Sequence, residues 1–119
     1  MTDNPIAAKE SASYVVFSVN TKRALKSYQL SILAHEVMHS DGRLKGIEDL
    51  SERQAALRNN VLEQIEKGES LPRPVVGIGI NDNFELGAGR DVFMTLATLG
   101  HSTIEVHMRK SQLSELEDF

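Results

Sequence analysis

A chain of 119 residues has room for one domain and not for two. Its 40% hydrophobic and 25% charged residues match a globular average, which argues against wholesale disorder. Cysteine is absent, so disulfides, thiolate zinc sites, iron–sulfur clusters and a nucleophilic thiol are excluded. Thirteen Lys and Arg against seventeen Asp and Glu leave a net charge of −4, the wrong sign for long-range attraction to nucleic acid, although a local basic patch remains compatible. No segment approaches the ~18 apolar residues of a membrane span, and Met1-Thr2-Asp3-Asn4-Pro5 carries no secretory pattern. The expectation is a cytoplasmic protein without a membrane partner.

Residues 1–12 are polar and aperiodic and read as a flexible N-terminal tail. Tyr14-Val15-Val16-Phe17-Ser18-Val19 is β-branched and aromatic, the pattern of a first strand. Asn20-Thr21 offers an N-cap, and Leu25, Tyr28, Ile32, Leu33 and Val37 recur at helical spacing, predicting a helix over 21–40 that Asp41-Gly42 stops. After a polar connector, Ser51 and Gln54 form a capping box. Leu57, Val61, Leu62 and Ile65 then give a second helix its buried stripe, ended by Gly68. Leu71-Pro72-Arg73-Pro74 keeps the chain extended and leads into a strand over 75–80, with Val76, Ile78 and Ile80 on one face. Asn81-Asp82-Asn83 turns the chain into a short strand, Phe84-Glu85-Leu86. A third helix carries Val92, Phe93, Leu96 and Leu99 and ends at Gly100. Residues 103–109 alternate, placing Ile104, Val106 and Met108 in the core and Glu105, His107 and Arg109 outward. Residues 111–119 are an acidic C-terminal tail, read as a short helix or a frayed end. The order β-α-α-β-β-α-β defines an α+β fold around a small mixed sheet, with one domain over 13–110.

Two groups of residues could carry chemistry. In Gly87-Ala88-Gly89-Arg90 a strand passes through glycines into a helix, whose N-terminal N–H groups and dipole attract phosphate or carboxylate. Arg90 adds a bidentate donor. Glycines also occur at such turns simply for tight packing, and Asp91 would repel an anion.

From Leu50 onward the chain resembles the ParB/sulfiredoxin-like domain. The resemblance lies in Leu50-Ser51-Glu52, Leu57, Ile65 and Gly68, then in Leu71-Pro72-Arg73-Pro74-Val75-Val76. It continues through Phe84-Glu85-Leu86-Gly87-Ala88-Gly89-Arg90, Leu99-Gly100 and Thr103-Ile104-Glu105-Val106, with 14–19 as the family's first strand and 21–40 as an extra helix. It implies that Gly87, Ala88, Gly89 and Arg90 contact the phosphate of a nucleotide such as CTP or ATP, or of nucleic acid. It also implies a regulatory or host-interfering role in a plasmid or phage, with a host or plasmid protein partner. The turn departs from the family in reading Arg90-Asp91-Val92 where partition proteins have Glu-Arg-Arg, and the sulfiredoxin reaction needs a cysteine that is missing.

The second group is His35-Glu36-Val37-Met38-His39, a literal H-E-x-x-H. On a helix His35 and His39 would share a face and ligate zinc, with Glu36 as general base of a metallopeptidase. A third ligand would come from Glu63 or Glu52. Lys45 stands where an extended motif would place a ligand, and solvent-facing histidines beside a buried Val37 are the plainer alternative. A third alternative is a non-catalytic interaction domain, an inhibitor or DNA mimic, whose acidic surface binds a basic partner. A homodimer would enlarge a core poor in aromatics. Should the first helix fold back over the glycine turn, His35 and Arg90 would share one pocket.

Overall fold

The computed structural model describes all 119 residues. Strand β1, Tyr14–Asn20, pairs antiparallel with β4, Thr103–Arg109, in a continuous register from Tyr14 opposite Arg109 to Asn20 opposite Thr103. A second antiparallel pair joins β2, Val76–Ile78, to β3, Phe84–Leu86. The five helices are α1 (Pro5–Lys9), α2 (Thr21–Tyr28), α3 (Glu52–Glu66), α4 (Arg90–Thr98) and α5 (Leu113–Leu116). The result is an α+β fold whose elements run β-α-α-β-β-α-β between residues 14 and 109. In place of one mixed sheet there are two small antiparallel ones, linked by a parallel bridge between Val75 and His107. Pro72 and Pro74 explain the break: a proline has no N–H for the ladder, so the segment meets β4 at isolated points, where His107 N–H donates to the Pro74 carbonyl at 2.9 Å and Arg73 pairs with Glu105 at 3.1 Å.

The core lies between α4, the inner face of β1 and β4, and the β2–β3 pair. Val19, Val106 and Met108 are buried against Phe93, and Phe84 packs on Phe93 and Phe119 with ring centroids 5.8 and 5.3 Å apart. Phe119 and the buried Leu116 tie the C-terminal residues down, so 111–119 is a packed turn and short helix rather than a tail.

Three further expectations are corrected. The helix expected over 21–40 ends at Tyr28. Ser31 competes with it: its hydroxyl accepts the Leu33 N–H and donates to Glu85, turning the chain over the β2–β3 hairpin. Ile32, placed in the core by periodicity, is 72% exposed. Ile80 likewise leaves its strand for the hairpin turn and is 89% exposed, because Gly79 and a left-handed Asp82 reverse the chain there. Residues 1–12 are ordered. Thr2 N–H donates to the Leu71 carbonyl and Arg73 N–H to the Thr2 carbonyl, both at 2.9 Å. Buried Asn4 caps α1 and donates to the Arg73 carbonyl. No helix is long and apolar enough to cross a membrane.

This N-terminal strap buries His107, which alternation had placed outward. The amide N–H of Asn4 donates to His107 Nε2 at 3.1 Å, which requires that nitrogen to be deprotonated. Burial pushes the His107 pKa below its ordinary value; Arg73 acts in the same direction and the nearby Asp3 carboxylate opposes it. The unfolded ring therefore takes up a proton first. Stability from this contact is complete above pH ~6.5 and is lost as pH falls through the lower folded value. Hydrogen exchange should show the Thr2 and Arg73 amides losing protection under acid before the β1–β4 ladder does. A His107→Gln variant, with no titrating ring, should lose that pH dependence.

Candidate functional site

Helix α4 begins where Gly89, at φ 85°, turns the chain out of β3. A Cβ on Gly89 would sit 3.0 Å from Pro74 Cα, so the left-handed angle and the close backbone approach both demand glycine. Gly87 and Ala88 are committed to Val75: Gly87 N–H donates to its carbonyl and Val75 N–H donates to that of Ala88, at 2.9 and 2.8 Å. The backbone cradle expected over Gly87–Gly89 is thus partly spent on packing, and the Gly87 amide is not available to an anion. The open donors lie one step later. Amides in the first turn of α4 lack intrahelical acceptors, and no side chain caps them.

Arg90 points into the protein, with a side chain 17% exposed. Its Nη1 donates to Glu36 Oε1 at 2.9 Å and to the Tyr28 hydroxyl at 3.4 Å. The chain after α2 does fold back over the glycine turn, but the motif residue that meets Arg90 is Glu36, not His35. Burial opposes the Arg90 charge, and the bonds to Tyr28 and Glu36 outweigh it, so its pKa stays above the usual value. The same hydrogen bond holds the Glu36 carboxyl below its ordinary range. Burial raises the pKa of the Tyr28 phenol.

The H-E-x-x-H residues do not form the helical face that zinc ligation requires. Ala34–Glu36 is a single 3-10 turn, and Val37 to Lys45 forms a tight hairpin closed by a bridge between Met38 and Leu44. His35 Nδ1 lies 2.9 Å from the Ile32 carbonyl, whereas His39 Nε2 lies 3.4 Å from Asp49. Glu36, the expected base, is occupied by Arg90. Of the expected third ligands, Glu63 pairs with Lys67 at 2.9 Å and Glu52 opens α3 in solvent. No three His, Asp or Glu side chains are grouped to hold a metal. Near by, Arg43 pairs with Asp41, and Lys45 Nζ donates to the His35 carbonyl.

A residue not singled out from the sequence completes the corner. Arg58 of α3 is only 5% exposed and forms no ion pair; its one hydrogen bond runs from Nη1 to the Lys45 carbonyl. Burial depresses its pKa, yet a guanidinium stays charged under ordinary conditions. Arg58, Gln54, Arg90 and Asp91 line one crease between α3 and α4, floored by Val37 and Met94. The crease encloses about 10 Å³, room for one water. Spacing is the signal that could have found Arg58. It lies four residues after Gln54, three before Val61 and seven before Ile65, on the apolar stripe of α3.

No family model, curated protein or solved structure matches this chain.

Proposed function

We propose that the protein is a phosphate-binding module whose ligand sits at the crease between α3 and α4. The carrying observation is Arg58: a buried guanidinium without a carboxylate partner costs folding free energy, and an anionic ligand would recover it. Arg90 lies on the same crease, and the uncapped first turn of α4 adds donors and a favourable dipole. The ParB/sulfiredoxin-like resemblance of residues 50–109 narrows the ligand to a nucleotide, CTP or ATP, or a nucleic-acid phosphate. It also gives the module a regulatory role in a plasmid or phage. That fold assignment and that setting belong to the proposal.

In the closed corner Glu36 holds the place of the ligand. Its carboxylate supplies Arg90 with the negative charge that a phosphate would bring, and the crease, at about 10 Å³, admits a phosphate only once the corner opens. Binding is therefore competitive with an internal anion. Removing this internal anion in Glu36→Gln should tighten nucleotide binding, by about fivefold if the part-buried pair is worth ~1 kcal/mol.

Calorimetric titration with CTP, ATP and a short DNA duplex tests the reading. Wild-type protein should take up one of these ligands. Arg90→Ala should bind it at least about tenfold more weakly, and Glu36→Gln more tightly. Equal heats from wild type and Arg90→Ala would remove Arg90 from the site, and weaker binding by Glu36→Gln would end the competition.

A further inference from the structure

Strand β1 has an edge that the fold leaves open, and its hydrogen-bonding groups can be assigned from the register. Opposed residues in an antiparallel pair alternate between exchanging hydrogen bonds and directing them away from each other. Thr21 N–H donates to the Ser102 carbonyl at 2.9 Å. Two-residue steps along the same register then give Val19, Phe17 and Val15 as the residues bonded to β4. Tyr14, Val16, Ser18 and Asn20 direct their N–H and C=O groups away from β4. Two observations agree. His107, opposite Val16, donates outward to Pro74, and Tyr14 N–H turns back to the Ser11 carbonyl.

The outer edge of β4 is covered by Pro74 and Val75, whereas no strand or loop pairs with the outer edge of β1. Exposed edges are usually blunted by charge, proline or a bulge. Tyr14-Val15-Val16-Phe17-Ser18-Val19-Asn20 has neither charge nor proline, and its register is unbroken. Val16 is 48% exposed.

We infer that this edge is an interface for a second copy of the chain, pairing β1 antiparallel with β1 about a two-fold axis at Phe17. The set of free groups is self-complementary in that register. Val16 of one copy lies opposite Ser18 of the other and exchanges both bonds with it. At each end Asn20 N–H meets the Tyr14 carbonyl of the other copy. The reciprocal bond there would need Tyr14 N–H and the Asn20 carbonyl. Tyr14 N–H is already bonded to Ser11, and Asn20, as the N-cap of α2, gives its carbonyl to that helix. Two-fold pairing thus satisfies each open group of the edge and asks for none already in use. An uncharged strand also brings no like charges face to face across the axis.

Sedimentation equilibrium over a wide concentration range, together with amide hydrogen exchange, tests this. The wild-type mass should rise with concentration to twice that of the chain, and the Val16, Ser18 and Asn20 amides should gain protection in step. Val16→Lys places a charge on the edge, and Ser18→Pro removes an N–H that the monomer does not use. Each should weaken the dimer at least about tenfold. Circular dichroism reports whether each variant is folded, and Val16→Lys, exposed and without a backbone constraint, carries the test if Ser18→Pro unfolds. A chain that stays monomeric, or a dimer in which those amides exchange as fast as in the monomer, overturns the inference. In the first case the edge is left for another extended segment.

Discussion

Arg58→Met should raise stability and abolish ligand binding in the same molecule. Methionine keeps an unbranched apolar stem while removing a charge that burial penalises and no carboxylate offsets. The lost bond to the Lys45 carbonyl works against this gain. The net expectation is about +1 kcal/mol, an increase in Tm of ~4 °C, as at other binding sites that trade stability for function. Nucleotide affinity should fall at least about tenfold. Denaturant unfolding and calorimetry on one preparation read both effects. Destabilisation by ~2 kcal/mol or more would instead make Arg58 a strut for the 37–45 hairpin, and the binding proposal would lose its carrying observation.

Phe93→Ala should cost the most stability of any single truncation in α4, ~3–5 kcal/mol. The ring is fully buried in the core and packs on Phe84, which itself packs on Phe119, so its removal leaves a cavity beside the aromatic cluster. That is a large share of the ~5–15 kcal/mol that holds a domain of this size together. Leu99→Ala, at the C-cap of the same helix, should change stability by no more than ~0.5 kcal/mol, because Leu99 is half exposed. Urea unfolding of the two variants makes the comparison. Similar losses would mean that α4 is packed differently from the arrangement described.

That contrast shows where periodicity is informative and where it stops. Phe93 and Leu99 lie six residues apart at positions that both fit a helical stripe, and the stripe is real as far as Leu96. Leu99 is the C-cap of α4, its N–H still bonded to the Thr95 carbonyl, and stays half exposed where the chain turns away through Gly100, because the helix ends there. Similarly, Leu25 and Tyr28 continue correctly from the Asn20 cap. Ile32 and Leu33 keep the spacing but not the helix, because the Ser31 hydroxyl finds a partner in Glu85, fifty-four residues away. A local rule has no access to such a partner.

The candidate site was legible in part for the same reason. Arg90 and the glycines before it follow from local chemistry: a strand must turn into a helix, and Gly89 adopts an angle that other residues avoid. Glu36 and Arg58 could not be joined to Arg90 from the sequence. The H-E-x-x-H pattern suggested a zinc helix because spacing was its only content, and the structure uses its glutamate as the counter-ion of an arginine instead.

Local hydrogen-bonding preferences and alternation of apolar side chains were enough to determine the α+β class, the element order between residues 14 and 109 and the core positions Ile104, Val106 and Met108 of β4, since each depends on neighbours a few residues apart. The pairing of Glu36 with Arg90, the isolation of Arg58, the burial of His107 beneath the N-terminal strap and the open edge of β1 were decided by the tertiary structure alone. Each is a relation between distant segments, and its energy depends on which groups are removed from water together.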